Sequence, residues 1–176
     1  MDFDFNTAER TTSGTLIPAG TQAPVIVNVK AGDPGTTDDS LIRTKSGLLQ
    51  LVLEMTITEG EYSRRKVWHR LTMGAAPGLT LTEGQQKAVS ISRTFLRSLI
   101  EAMRGISPTD DSAAAMQARK IESLMDLDGA EVWVEIGIEK DKTGEYGDKN
   151  RITKIVHANA PGPFAPKPTT KKANWA

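Results

Sequence analysis

Residues 41–74 read LIRTKSGLLQLVLEMTITEGEYSRRKVWHRLTMG, and the fold turns on how this stretch divides. From Leu41 to Thr58 apolar and polar side chains alternate. Leu49, Leu51, Leu53, Met55 and Ile57 fall on one face, and Gln50, Val52, Glu54, Thr56 and Thr58 on the other. A period of two is that of a half-buried β-strand. Glu59-Gly60-Glu61-Tyr62-Ser63 supplies a tight connection, after which Arg64 to Met73 alternates again, with Val67, Leu71 and Met73 on the apolar side. His69 shares that side and reads as a hydrogen-bonded core residue. Two antiparallel strands joined by a hairpin are therefore predicted.

Upstream, residues 1–22 read as a lead-in that docks a short apolar plug at Leu16 and Ile17. APVIVNVK (23–30) forms a further strand with Val25, Val27 and Val29 on one face, and AGDPGTTDD (31–39) is a solvent loop. Downstream, a helix is predicted to start at Thr82 or Gly84 and to end at Gly105, with Ala88, Ile91, Phe95, Leu99 and Met103 as its apolar positions. A second helix is predicted from Ser107-Pro108-Thr109-Asp110 to about Leu124, closed by the turn Asp126-Leu127-Asp128-Gly129. EVWVEIGIE (131–139) and Arg151 to Ala158 complete the strands, with the loop DKTGEYGDKN between them. The tail from Asn159 is rich in proline, lacks acids and is expected to be disordered. The predicted organisation is one domain over 1–158 and a flexible tail over 159–176.

Three strands, a helical insertion and two more strands is the element order of an OB-fold. That fold is a five-stranded Greek-key barrel that binds oligonucleotides on the face of its second and third strands and in the loops after its first and fourth. The expected fold class is thus mainly β with a helical insertion, an OB-like barrel in the order β-β-β-α-α-β-β. A five-stranded sheet with one covering helix layer is the competing architecture.

Composition narrows the function classes. The chain has no cysteine, which excludes disulfides, thiolate metal sites and a cysteine nucleophile, and its two histidines, His69 and His157, are far apart. No apolar run approaches the ~18–20 residues of a membrane span, and MDFDFN does not resemble a secretory signal, so a cytoplasmic protein with no membrane partner is expected. The 22 basic and 22 acidic residues cancel. Residues 1–40 carry 2 basic and 6 acidic side chains, whereas residues 41–74 carry 6 and 3, so a neutral total conceals a basic region.

That region holds the informative residues. Lys66, Trp68 and Arg70 share the solvent side of their strand, an aromatic ring with a cation on either side. Binding single-stranded nucleic acid without reading its sequence needs cations for phosphates and flat rings on which bases stack. Arg64 and Arg65 extend the charge into the hairpin, Arg43 and Lys45 enter the preceding strand, and Lys142, Tyr146, Lys149 and Arg151 surround the loop before the last strand. The competing reading buries Trp68 against the helical layer. Trp133, between Glu131 and Glu135, reads as structural or as a protein contact. Arg93, Arg97 and Arg104 form a helical stripe that is either a solvated face or a second phosphate path. No phosphate loop, zinc-helix spacing or nucleophile elbow is present, and the acid pairs Asp110-Asp111 and Asp126-x-Asp128 fit helix starts and turns. A non-catalytic protein without cofactor or metal is expected.

The blocks LIPAGTQAPV (16–25), TKSGLLQLVLEMTITEGEY (44–62), RRKVWHRLTMG (64–74), GQQKAVSISRTFLR (84–97), DLDGAEVWVEIGIEKD (126–141) and YGDKNRI (146–152) resemble small phage and prophage proteins similar to phage single-stranded DNA-binding proteins. The resemblance spans roughly 1–158. It implies an OB-like domain that coats single-stranded DNA in phage replication or recombination, with phage or host replication proteins as further partners. One departure is the tail, which carries Lys167, Lys171, Lys172, Phe164 and Trp175 in place of the acidic tip of the bacterial proteins. The alternative function is an OB-like protein-interaction module that modulates replication or defence proteins, supported by the acidic residues around Trp133 and in 1–40. The alternation leaves a homo-oligomer open.

Overall fold

The structure is a computed structural model and describes residues 14–36 and 38–157. Six strands form one antiparallel sheet: β1 (Thr21–Val29), β2 (Leu41–Arg43), β3 (Leu48–Ile57), β4 (Lys66–Ala75), β5 (Glu131–Glu139) and β6 (Lys149–Val156). Helices α1 (Glu83–Arg104) and α2 (Ala113–Ala118) and a 3-10 turn (Leu124–Leu127) lie between β4 and β5 in the chain. None of the described helices is long and apolar enough to cross a membrane.

The stretch from Leu41 to Thr58 is two strands, where the alternation predicted one. Thr44-Lys45-Ser46-Gly47 turns the chain: Gly47 has φ 82°, its N–H donates to Thr44 O at 2.9 Å, and Leu48 N donates to Thr44 Oγ1 at 3.0 Å. Only glycine adopts that left-handed conformation without a steric penalty. The short β2 folds back on β3, pairing Leu41 with Leu51 and Arg43 with Leu49.

β3 organises the sheet. One edge pairs with β4, and the other pairs with β2 at Leu49–Leu51 and with β1 at Leu53–Ile57. β1 continues to β5, and β5 to β6, so the long strands run β4-β3-β1-β5-β6. One face carries the core, with Val27, Leu51, Leu53, Met55, Val134 and Ile136 fully buried and Val67, Leu71 and Ile152 nearly so. Each such side chain contributes roughly 1.5–3 kcal/mol by leaving water.

Helix α1 begins with a capping box, in which Thr82 accepts from Gln85 N while Gln85 accepts from Thr82 N, and it ends at Gly105 with φ 66°. Its buried positions are Ser92, Leu96, Leu99, Ile100 and Glu101. That stripe is rotated from the predicted one: Ile91 is 60% exposed, on the rim of an apolar cleft of about 310 Å³ between α1 and β6. The second helix is also shorter than predicted. α2 has six residues and stops before Arg119, whose guanidinium turns inward to Glu101 Oε1 at 2.7 Å and to Asp110 O at 2.7 Å. Ser123 then caps the separate 3-10 turn.

The sheet is open and six-stranded, so the predicted five-stranded barrel is corrected to an open sheet. β4 and β6 approach each other, but no hydrogen-bonded ladder joins them among the described residues. The gap is spanned at its two ends by other parts of the chain. At one end the entering segment crosses it: Arg65 Nη1 donates to Thr15 O at 2.6 Å, and Asn150 takes both backbone groups of Ile17, accepting from its N at 2.9 Å and donating to its O at 2.8 Å. Ile17 is fully buried there, as the plug reading predicted, while Leu16 is 37% exposed. At the other side α1 covers the gap, with Phe95 stacked at 4.3 Å on His69 of β4. The predicted disordered tail lies outside the described residues.

Candidate nucleic-acid interface

On β4 the alternation places Lys66, Trp68 and Arg70 on the side opposite the buried Val67 and Leu71. Trp68 is 54% exposed, which removes the reading that buried it against the helices. Lys66 and Arg70 are exposed as well. Strand pairing fixes their neighbours. Trp68 stands opposite Glu54, which stands opposite Asn28; Arg70 stands opposite Val52, whose carbonyl accepts from Lys30 N at 3.0 Å; Lys66 stands opposite Thr56. The outer face of β4, β3 and the end of β1 therefore holds Arg70, Lys66 and Lys30 around one ring.

A single acid sits among them. The Glu54 side chain is only 9% exposed, and its two oxygens each take one ammonium: Oε1 from Lys66 Nζ at 2.9 Å and Oε2 from Lys30 Nζ at 2.9 Å. The hydrogen bonds from Lys66 and Lys30 hold its carboxyl below the usual glutamate range, so it is ionised at neutral pH. The cluster keeps one net positive charge, and Arg70 adds a second. Lys30 and Glu54 were not among the sequence candidates. Lys30 directly follows β1 and Glu54 is one alternating residue of β3, and only the order β4-β3-β1 joins them.

The remaining candidates disperse. Arg43 pairs with Leu49, so it shares the core-side face at the sheet margin and lies on the side opposite Trp68. Lys45 is exposed in the turn after β2. Arg64, with φ 71°, is exposed in the β3–β4 hairpin. Arg65 is half-buried, holds Thr15 O and lies 5.8 Å from the centre of the Tyr62 ring, so its guanidinium is engaged within the fold.

Lys142 and Tyr146 lie in the β5–β6 loop, at the same end of the sheet as the β3–β4 hairpin by the antiparallel register. Asp141 shapes that loop. Its carboxylate accepts from Thr143 Oγ1 at 2.7 Å, Tyr146 N at 2.7 Å and Gly147 N at 2.8 Å, which holds it far below the ordinary range. Tyr146 is thereby presented with 89% of its surface exposed. Lys149 approaches Glu139 at 3.5 Å, and Arg151 pairs with Gly137, whose missing side chain leaves room for Thr153: a Cβ there would stand 2.6 Å from Thr153 Cγ2.

In the helical stripe, Arg97 binds Glu101 at 2.9 Å and Arg104 donates to Ala118 O and Lys120 O at 2.6 and 2.8 Å, so two of its three cations serve the fold. Trp133 is half-buried on the β5 side of the outer face, between exposed Glu131 and half-buried Glu135, the latter paired with Lys154 at 3.2 Å. The outer face is thus basic over β4, β3 and the end of β1, and acidic over β5. No protein-family model, curated protein or solved structure matches the chain.

Proposed function

We propose that the protein binds single-stranded DNA, without catalysis and with little regard to sequence, through the outer face of β3 and β4. The observation that carries this reading is Trp68, more than half exposed on a regular strand with Lys66 and Arg70 on either side. A ring with more than half of its surface in water on a regular strand is an exposed apolar feature, and cations at both flanking positions match what a base and its two phosphates require. The strand order β4-β3-β1-β5-β6, with the helical insertion between β4 and β5, supports an OB-like reading in which the two end strands stay apart, since the OB barrel is itself partly open. Tyr146 and Lys142, on a loop rigidified by Asp141, extend the surface from one end. The role in phage replication or recombination, and the host-cell cytoplasm as its place, follow from the sequence resemblance.

The test is titration with single-stranded DNA, double-stranded DNA and RNA of one length at two salt concentrations. Binding to the single strand that weakens steeply with salt supports the reading, because each neutralised phosphate adds about 0.7 to the slope of log affinity against log salt. No binding at micromolar protein and physiological salt contradicts it and favours the protein-interaction module, for which the acidic β5 half around Trp133 is the supporting feature.

A further inference from the structure

The interface as read from β4 is a line: Lys66, Trp68, Arg70. The contacts of Glu54 make it a surface. Lys30 directly follows β1 and Lys66 begins β4, and β3 lies between those two strands, yet both ammonium groups end on one carboxylate. That carboxylate lies directly across from Trp68 in the β3–β4 register.

An ammonium has three donors, and Glu54 takes one from each lysine, so both keep donors facing solvent. The lysine side chains are roughly half exposed, 46% and 47%, while the carboxylate between them is 9% exposed, so the cations stand outermost. Long side chains already held in one rotamer lose less freedom when a ligand arrives than chains that swing freely. The arrangement thus trades one unit of charge for two fixed cations beside an exposed ring.

Resting on the nucleic-acid reading above, we propose that Lys30 is a phosphate contact and Glu54 a positioning residue, so that the bound strand crosses the sheet obliquely over Trp68, from β4 to the end of β1. Phosphates on either side of the base stacked on Trp68 meet Lys66 and Lys30. Arg70, level with Lys30 across Val52, guides the same path from the β4 side.

Charge alone and positioning predict opposite signs for Glu54→Gln. Removing a negative charge next to DNA should tighten binding, whereas releasing two positioned lysines should weaken it. The experiment is fluorescence anisotropy of labelled oligo(dT) with the wild type, Glu54→Gln, Lys30→Ala and Trp68→Ala over a series of salt concentrations, with thermal melting of each protein. The expected result is binding about threefold or more weaker for Glu54→Gln despite its added net charge. Lys30→Ala should also weaken binding and lower the salt slope by about 0.7. Tighter binding by Glu54→Gln, or an unchanged slope in Lys30→Ala, overturns the roles proposed for Lys30 and Glu54 and leaves the interface standing if Trp68→Ala is weak. Absence of binding by the wild type overturns the interface itself. If Glu54→Gln melts early, Lys30→Ala decides alone, because its side chain is half exposed and its loss leaves the core intact.

Discussion

Trp68 and His69 are neighbours on β4 with opposite fates. Alternation sends Trp68 to solvent and His69 inward, where its ring stacks on Phe95 of α1. Burial pushes the His69 imidazole down to about 4, and the charge of Arg151 adds to the effect. It is therefore neutral in the folded protein at pH 7, whereas an unfolded histidine takes a proton near pH 6.5. Stability should be complete above that pH, fall as the pH drops from about 6.5 towards 4, and level off in this respect below it. At pH 5 the loss is about 2 kcal/mol. Urea unfolding at pH 7.5 and pH 5 checks this: His69→Gln should flatten the difference, and an equal drop in the variant would assign it elsewhere. The inward side of His69 was legible from the period of two. Among the described residues its ring has no hydrogen-bond partner and meets Phe95 instead, a contact that depends on how α1 is laid over the sheet.

At the scale of elements, local signals set boundaries and long-range contacts overrode some of them. The ends of α1 were legible because each is set locally, by Thr82 with Gln85 at the start and by Gly105 bonding back to Glu101 and Ala102 at the finish. The break between β2 and β3 was masked by parity. The turn pairs Arg43 with Leu49, so odd-numbered residues keep the same face on both sides and the alternation runs through uninterrupted. The length of α2 was not legible, since it ends where Arg119 leaves to reach Glu101, eighteen residues back in the sequence. Glu101 is 2% exposed and takes Nε–H bonds from both Arg97 and Arg119; burial alone would raise its pKa, and these bonds lower it instead. Glu101→Ala strands Arg119, 13% exposed, and should cost about 3 kcal/mol. Thermal or urea unfolding measures it, and a loss below about 1 kcal/mol would show that the pairing is incidental to stability.

At the scale of the molecule, the sheet stays open between β4 and β6 and is held there by non-strand pieces. Asn150 does for Ile17 what a ladder partner would do, with one acceptor and one donor, and it also donates to Gly137 O at 3.2 Å. Asn150→Ala should destabilise the fold by about 1–3 kcal/mol and speed hydrogen exchange at the Ile17 amide, while leaving DNA affinity within about twofold. Unchanged exchange at Ile17 would deny the clip its role. Sequence order indicated the number of long strands and where the helices enter. Whether the end strands meet depends on the 14–17 segment and on α1, neither of which advertises its contacts locally. For the same reason the ring and its flanking cations were legible on one strand, and the lysine joined through Glu54 was not.

Trp68 is the residue on which the proposed interface depends most. Anisotropy titration of labelled oligo(dT) with the wild type and Trp68→Ala, at one moderate salt concentration and with matched melting curves, tests it most directly. A stacked base contributes roughly 1–3 kcal/mol, so the variant should bind about 5-fold to 150-fold more weakly. Equal affinity of the two proteins, both folded, would contradict the proposed interface.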